Sequence, residues 1–344
     1  MASIALKRPE RNRCRSSRAA GGVDAFCVGS ELRGLTSIRG ANDSFPAVQA
    51  LRQLAGEVKA ILGPQTQISY AADWSEYFGY HVGNNVYFHL DPLWANANID
   101  FIGIDNYMPL SDWREGEVHA DSAWQSLHNP DYLIANIAGG EGFDWFYANE
   151  LDEAAQTRTP ITDGAHDEPW VYRYKDLRNW WLSQHHPRLA GVRQATPTPW
   201  VPQSKPFRFV EYGCAAIDKG TNQPNKFLDP KSSESALPKF STGQRDDLLQ
   251  MAFYNQRKRS LSQDLDNLSE TIASAQHELE LNKKLFTTGD TSQLEVMRAQ
   301  RQVTELQGLI NAVRNKYLQD ARAEAAKIAE DISTNYYRLE ERQS

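Results

Sequence analysis

Disulfide chemistry has almost nothing to work with in this 344-residue chain, whose cysteines are Cys14, Cys27 and Cys214. An odd, sparse set of this kind builds no disulfide framework and contains no CxxC metal pair. Long apolar runs are also missing. None approaches the ~20 residues that a membrane-spanning helix requires. Excess positive charge is absent, since the formal net charge is −7, and this disfavours nucleic acid as a partner. The N-terminus is basic (Lys7, Arg8, Arg11, Arg13, Arg15, Arg18) but lacks the apolar segment of a signal peptide. Residues 1–21 therefore read as a disordered basic leader, and the chain as cytoplasmic. His119 with Asp121, and the pair His185–His186, have no third ligand at a metal-binding spacing. The GGEG at 139–142 is followed by no Lys-Ser/Thr and is a loop, not a phosphate cradle. No metal or cofactor is expected.

The last absence divides the chain. All nine Trp and all sixteen Pro lie before residue 239, and only two Gly follow Gln256. The expected domains are a globular part over 22–256 and a helical part over 257–344. In the helical part Leu261, Leu265, Leu268, Ile272, Ala275 and Leu279 recur at spacings of 4 and 3. Val303, Leu306, Ile310, Val313 and Tyr317 do the same, continued by Ala321, Ala325, Ile328 and Ile332. That is the a/d seam of a coiled coil. Between the runs, Gly289 can close one helix in a left-handed conformation, and Ser292 with Glu295 has capping-box spacing for the next. The pattern predicts an α-helical coiled-coil hairpin, with self-association as a further expectation. A plain coiled-coil spacer would read the same way.

The globular part alternates short apolar runs with helical stretches, which argues for βαβ units and a parallel sheet. Strands are expected at 23–28 (VDAFCV), 67–74 (QISYAADW), 99–110 (IDFIGIDNYMPL) and 206–213 (PFRFVEYG), with helices over about 47–62 and 171–182. Buried parallel strands read as nearly continuous apolar runs, as these do. Each run ends on polar or aromatic residues: Ser30-Glu31, Asp73-Trp74, Asp105-Asn106-Tyr107 and Glu211-Tyr212. In a (β/α)8 barrel, strand C-termini form the active-site face. Two ends carry Glu, and retaining glycosidases need two carboxyls ~5–5.5 Å apart. Glu31 and Glu211 are the candidate pair. A salt-bridged or capping role is the plainer alternative for each, with Arg33 a ready partner for Glu31. Asp73, Trp74, Asp105, Asn106, Tyr107, Trp200 and Tyr212 are candidate substrate contacts, and Trp94, Trp113 and Trp145 further stacking surfaces. Trp residues more often belong to a core.

Several segments resemble the TIM-barrel-like domain of gene transfer agent and phage tail host-specificity proteins. They are FCVGSELRGLT (26–36), YFHLDPLWANANIDFIGIDNYMPLSDWR (87–114), YRYKDLRNWW (172–181), the stretch TPWVPQSKPFRFVEYGCAAIDKG onward to 235, and RDDLLQ (245–250). The resemblance spans about residues 22–255. That domain in turn is similar to clan A glycoside hydrolases. The resemblance implies a partial (β/α)8 barrel of about strands 4 to 7, with Glu31 as acid/base and Glu211 as nucleophile. It implies a cell-envelope polysaccharide as substrate, phage-tail-like particle proteins as partners and a tail particle as location. Ser30 stands where the clan usually has Asn. The chain opens at the implied strand 4, so weak or no activity is expected of it alone. A non-catalytic tail-tip glycan-binding module is the alternative. The segment LNKKLFTTGDTSQLEVMRAQRQVTELQG (281–308) resembles the helical hairpin of HlyD-type membrane-fusion adaptors. That likeness implies a secretion-system adaptor element, periplasmic if it functions as one.

Overall fold

A computed structural model describes residues 22–304 and 306–308, and between 255 and 272 the backbone alone. The chain divides into two compact units, residues 1–254 and 255–344.

The first unit is built on a four-stranded parallel sheet. Its strands are β1 (Ala25–Ser30), β2 (Gln67–Asp73), β5 (Ile102–Asn106) and β10 (Phe207–Tyr212), in the order β1-β2-β5-β10. All three pairings are parallel. The strands of this sheet are therefore neighbours in the same order in which they follow one another along the chain, as in an arc of a (β/α)8 barrel. Side chains alternate across a strand, and one face is consistently apolar. Val28, Ile68, Tyr70, Ala72, Ile102 and Ile104 are buried in one cluster with Val48, Leu51, Leu54, Ala55 and Val58. The last five come from a helix over Pro46–Leu62. Pro46 opens this helix, where a missing N–H costs nothing. Gly63 ends it at φ 93°, its N–H bonded to Lys59 O at 2.9 Å. Each of the four larger of these side chains, Val48, Leu51, Leu54 and Val58, contributes roughly 1.5–3 kcal/mol by leaving water.

The opposite face carries Ser69, Ala71, Asp73, Gly103 and Asp105, in register as Ala71↔Gly103 and Asp73↔Asp105. These residues are small along the strands and acidic at their ends. Gly103 is required there by close approach: an added Cβ would lie 2.5 Å from Tyr70 O and 3.1 Å from Val210 Cγ2. A bulge in β10 leaves Val210 unpaired, between Phe209↔Ile104 and Glu211↔Asp105.

A smaller antiparallel sheet, β3-β4-β8-β9, is assembled from Tyr80–Val82, Asn85–Tyr87, Arg188–Leu189 and Val192–Arg193. The long connections after β5 and β10 form a second cluster of Leu110, Leu127, Tyr132, Leu133, Cys214, Leu249 and Phe253. A two-stranded ribbon, β6 (Trp145–Phe146) with β7 (Thr159–Pro160), lies in the first of these connections.

A helix that runs over Asp247–Thr288 begins in the first unit and ends in the second at Gly289, φ 82°. Asp290 N–H bonds Leu285 O at 2.8 Å and Gly289 N–H bonds Phe286 O at 3.2 Å, the pair of bonds of a Schellman motif. The helix restarts after Ser292, whose Oγ accepts from Glu295 N–H at 3.3 Å. Ala275, Leu279 and Ala299 are buried. Leu261 to Ile272 of the expected seam lie where only the backbone is described, and Ile310 to Ile332 lie outside the described residues. No described helix is long and apolar enough to cross a membrane.

Candidate functional site

The polar ends of the four strands converge. Ser30 Oγ on β1 donates to Asp105 Oδ2 on β5 at 2.9 Å, although β2 lies between those strands. In a flat sheet two strand spacings separate backbones by about 10 Å, and β1 from β10 by about 14 Å. A direct bond between Ser30 and Asp105 therefore requires the sheet to curl, with the small-residue face concave. Gly103 and Ala71 permit that curvature, because larger side chains would hold the strands apart.

Glu31 follows β1 directly. It occupies the left-handed region, φ 50°, unusual for a residue other than Gly, Asn or Asp. Its N–H bonds Ala71 O at 2.8 Å, which fastens it to β2. Partial withdrawal from water, then the charges of Asp73, Asp105, Glu211 and Glu76, push the Glu31 carboxyl up to about 7. Burial, with Glu211 and Asp73, likewise pushes Asp105 up to about 6, against the Ser30 hydroxyl and the Glu211 backbone N–H. Glu211, at the end of β10, accepts from Tyr107 O–H at 2.7 Å through Oε2. Among the described residues neither Glu31 nor Glu211 has an ion pair. Arg33 Nη1 donates instead to Ser75 Oγ at 2.8 Å.

The other candidate residues divide by position. Asp73 closes β2 and accepts from Ser75 N–H at 2.7 Å. Trp74 is half-buried with its edge against Tyr174, ring centroids 4.8 Å apart. Asn106 is buried, and its Oδ1 accepts from Met108 N–H at 3.1 Å. These three, with Tyr107, stand at the same strand ends as the acids. Tyr212 turns away: its hydroxyl donates to Phe253 O at 3.0 Å and its ring packs 4.7 Å from Phe253.

Trp200 is 1 % exposed, stacked on His185 and 5.0 Å from Trp180. It has no surface from which to meet a sugar, which corrects its expected role as a substrate contact. Trp94 is likewise enclosed. Trp145 carries Arg158 on its face at 4.2 Å, and Trp113 packs on His119 and Tyr132. His185 spends both ring nitrogens internally, on Asp91 Oδ2 and Trp180 O, each at 2.8 Å.

Sequence reading did not single out Glu76, Tyr70 or Thr36 near Glu31, and took Asp105 as a polar sugar contact at a strand end, not as an acid acting on Glu31. Their relevance depends on contacts between separate segments, for which spacing carries no signal.

A curved parallel sheet with helices on one face and acidic groups at its strand C-termini defines a TIM-barrel-like α/β domain. The chain matches the model of the GTA TIM-barrel-like domain over residues 12–287, and it belongs to that family. The matched span includes the long helix through Thr287, which sequence reading had set beside the adaptor hairpin. No curated protein matches the chain.

Proposed function

We propose that the strand-end cluster is a glycan-cleaving site working by a retaining two-carboxylate mechanism. One observation carries this reading. Glu31 and Glu211 stand at strand ends of one curled sheet; burial, with nearby acids that include Glu211, pushes the Glu31 carboxyl up to about 7, while Glu211 is hydrogen-bonded by Tyr107. Two nearby carboxyls in unequal environments suit an acid and a nucleophile. In the proposed reaction Glu31 gives its proton to the glycosidic oxygen as Glu211 attacks the anomeric carbon. The leaving sugar departs with that proton. Glu31, now ionised, takes a proton from water, which displaces Glu211 and restores both groups. Asp73, Trp74 and Asn106 are the proposed sugar contacts, and Tyr107 would orient the nucleophile. A cell-envelope polysaccharide met by a phage-tail-like particle is the substrate class and setting proposed.

Release of reducing ends from envelope polysaccharides tests this. Glu31→Gln and Glu211→Gln should each lower the rate roughly 100- to 10,000-fold. Equal hydrolysis by wild type and both variants overturns the assignment. No hydrolysis by the wild type also overturns it, and retained glycan binding would then identify a recognition module.

For the second unit, we infer that the two helices joined at Gly289 pair as a coiled-coil hairpin. The Schellman turn, the Ser292 cap and buried Ala275, Leu279 and Ala299 support this. Its use as a secretion adaptor predicts a complex with an outer-membrane channel, and failure to recover one counts against that use.

A further inference from the structure

Glu76 is a buried acid that the proposed reaction does not use. It is 2 % exposed, in the turn after β2. Its carboxyl accepts from the hydroxyl of Thr36, from Tyr70 O–H at 3.1 and 3.0 Å, and from Asp73 N–H at 3.3 Å. Tyr70 and Thr36 are both fully buried. The Tyr70 oxygen, while donating to Glu76, accepts from Leu32 N–H at 2.7 Å. Leu32 is the residue after Glu31, and Thr36 closes the helical turn Arg33–Thr36 that follows.

One buried carboxylate thus holds both ends of the segment leaving Glu31. The segment needs holding. An Glu in the left-handed region lies of order 1–2 kcal/mol above its preferred conformations and persists only where neighbouring contacts impose it. The Glu31 N–H is fastened to Ala71 O on one side, and the Leu32 N–H to Tyr70 on the other. Without an acceptor, the Leu32 N–H would be a part-buried unpaired donor, and the strained turn would lose a restraint.

We propose that Tyr70 and Glu76 are a positioning pair that fixes the left-handed turn at Glu31 and so holds the Glu31 carboxyl over the concave face among the other strand-end acids. This rests on reading Glu31 as the acid/base. The pair touches no substrate and acts through the backbone. The charged groups that act on the Glu31 carboxyl are Asp73 at the end of β2, Asp105 on β5, Glu211 on β10 and Glu76 itself, and the charge of Glu31 acts in turn on Tyr107 beyond β5. Arg33, on the segment's own turn, is directed to Ser75. Every charged neighbour named in the cluster is thus acidic, and a carboxyl held among them retains its proton to higher pH than one that swings into water.

Carbon-13 NMR titration of the full chain reads this directly, with the Glu31 resonance assigned by its loss in Glu31→Gln. In Tyr70→Phe, which leaves every acid in place, the Glu31 carboxyl should titrate at lower pH than in the wild type, and in Glu76→Gln, which also removes one of the acids acting on it, at least as low. If the chain is hydrolytic, the acid-limb group of its pH–rate profile should move down with it. kcat should then fall by up to about 100-fold, with KM little changed, as expected for misplacement of a reacting group. Near-ultraviolet circular dichroism establishes that each variant is folded. A Glu31 titration unmoved in folded Tyr70→Phe overturns the proposal, whether or not the chain hydrolyses glycans. Absence of hydrolysis with a shifted Glu31 titration supports the positioning pair and rejects only the catalytic reading.

Discussion

At the scale of the residue, burial and neighbouring charge decide what each carboxyl does. Glu76 is enclosed, and burial pushes it up to about 7 despite the hydroxyls of Thr36 and Tyr70 that favour its charged form. The folded state therefore holds this proton more tightly than the unfolded chain, whose Glu titrates near 4.5. The resulting stabilisation is complete below the unfolded value and is lost as pH rises through about 7. Its size is about 3 kcal/mol by linkage. Thermal melts should therefore show stability falling between about pH 5 and about pH 8, and Glu76→Gln should flatten that fall. An unchanged slope in the variant would show that Glu76 is not the responsible group. Glu31 contributes in the same direction, but water at the concave mouth screens it.

At the scale of the element, the four parallel strands were legible because their apolar runs are short, β-rich and bounded by turn residues. The helix over Pro46–Leu62 was legible from Val48, Leu51, Leu54 and Val58 at helical spacing. The helix expected from 171 to 182 is instead a 3₁₀ turn at Pro169–Tyr172 and a short helix at Leu177–Leu182. Asp176 starts the latter by accepting from Asn179 N–H at 3.1 Å. The cap broke the run where apolar spacing alone suggested continuity. The bulge at Val210 and the curl of the sheet carry no periodic signal. They depend on Gly103 lying against Tyr70 O. Gly103→Ala should cost roughly 2 kcal/mol, in the range of overpacked cores, and lower the melting temperature of the first unit. A variant as stable as the wild type would show that the strands can part to admit a methyl group.

At the scale of the whole molecule, the two units differ in how much they bury. The first has an extensive apolar cluster around its sheet, whereas the described part of the second buries Ala275, Leu279 and Ala299. All nine Trp lie in the first, so their fluorescence reports that unit alone. Heating should give two transitions: loss of far-ultraviolet helical signal at lower temperature with Trp fluorescence unchanged, then loss of both. A single coincident transition by both probes would show that the units unfold together.

The sequence by itself determined the elements and their polar ends. Apolar periodicity and turn residues are local properties, so the parallel-strand pattern, the Gly289 turn and the acids at 31, 73, 105 and 211 could all be read along the chain. Only the tertiary structure decided which of those ends meet. Ser30 reaches Asp105 across an intervening strand, Tyr107 takes up Glu211, and Trp200 is withdrawn into a core with His185. Each outcome depends on sheet curvature and on packing between distant segments. Those are set by the summed volumes of residues far apart in the chain, and a linear pattern does not record them.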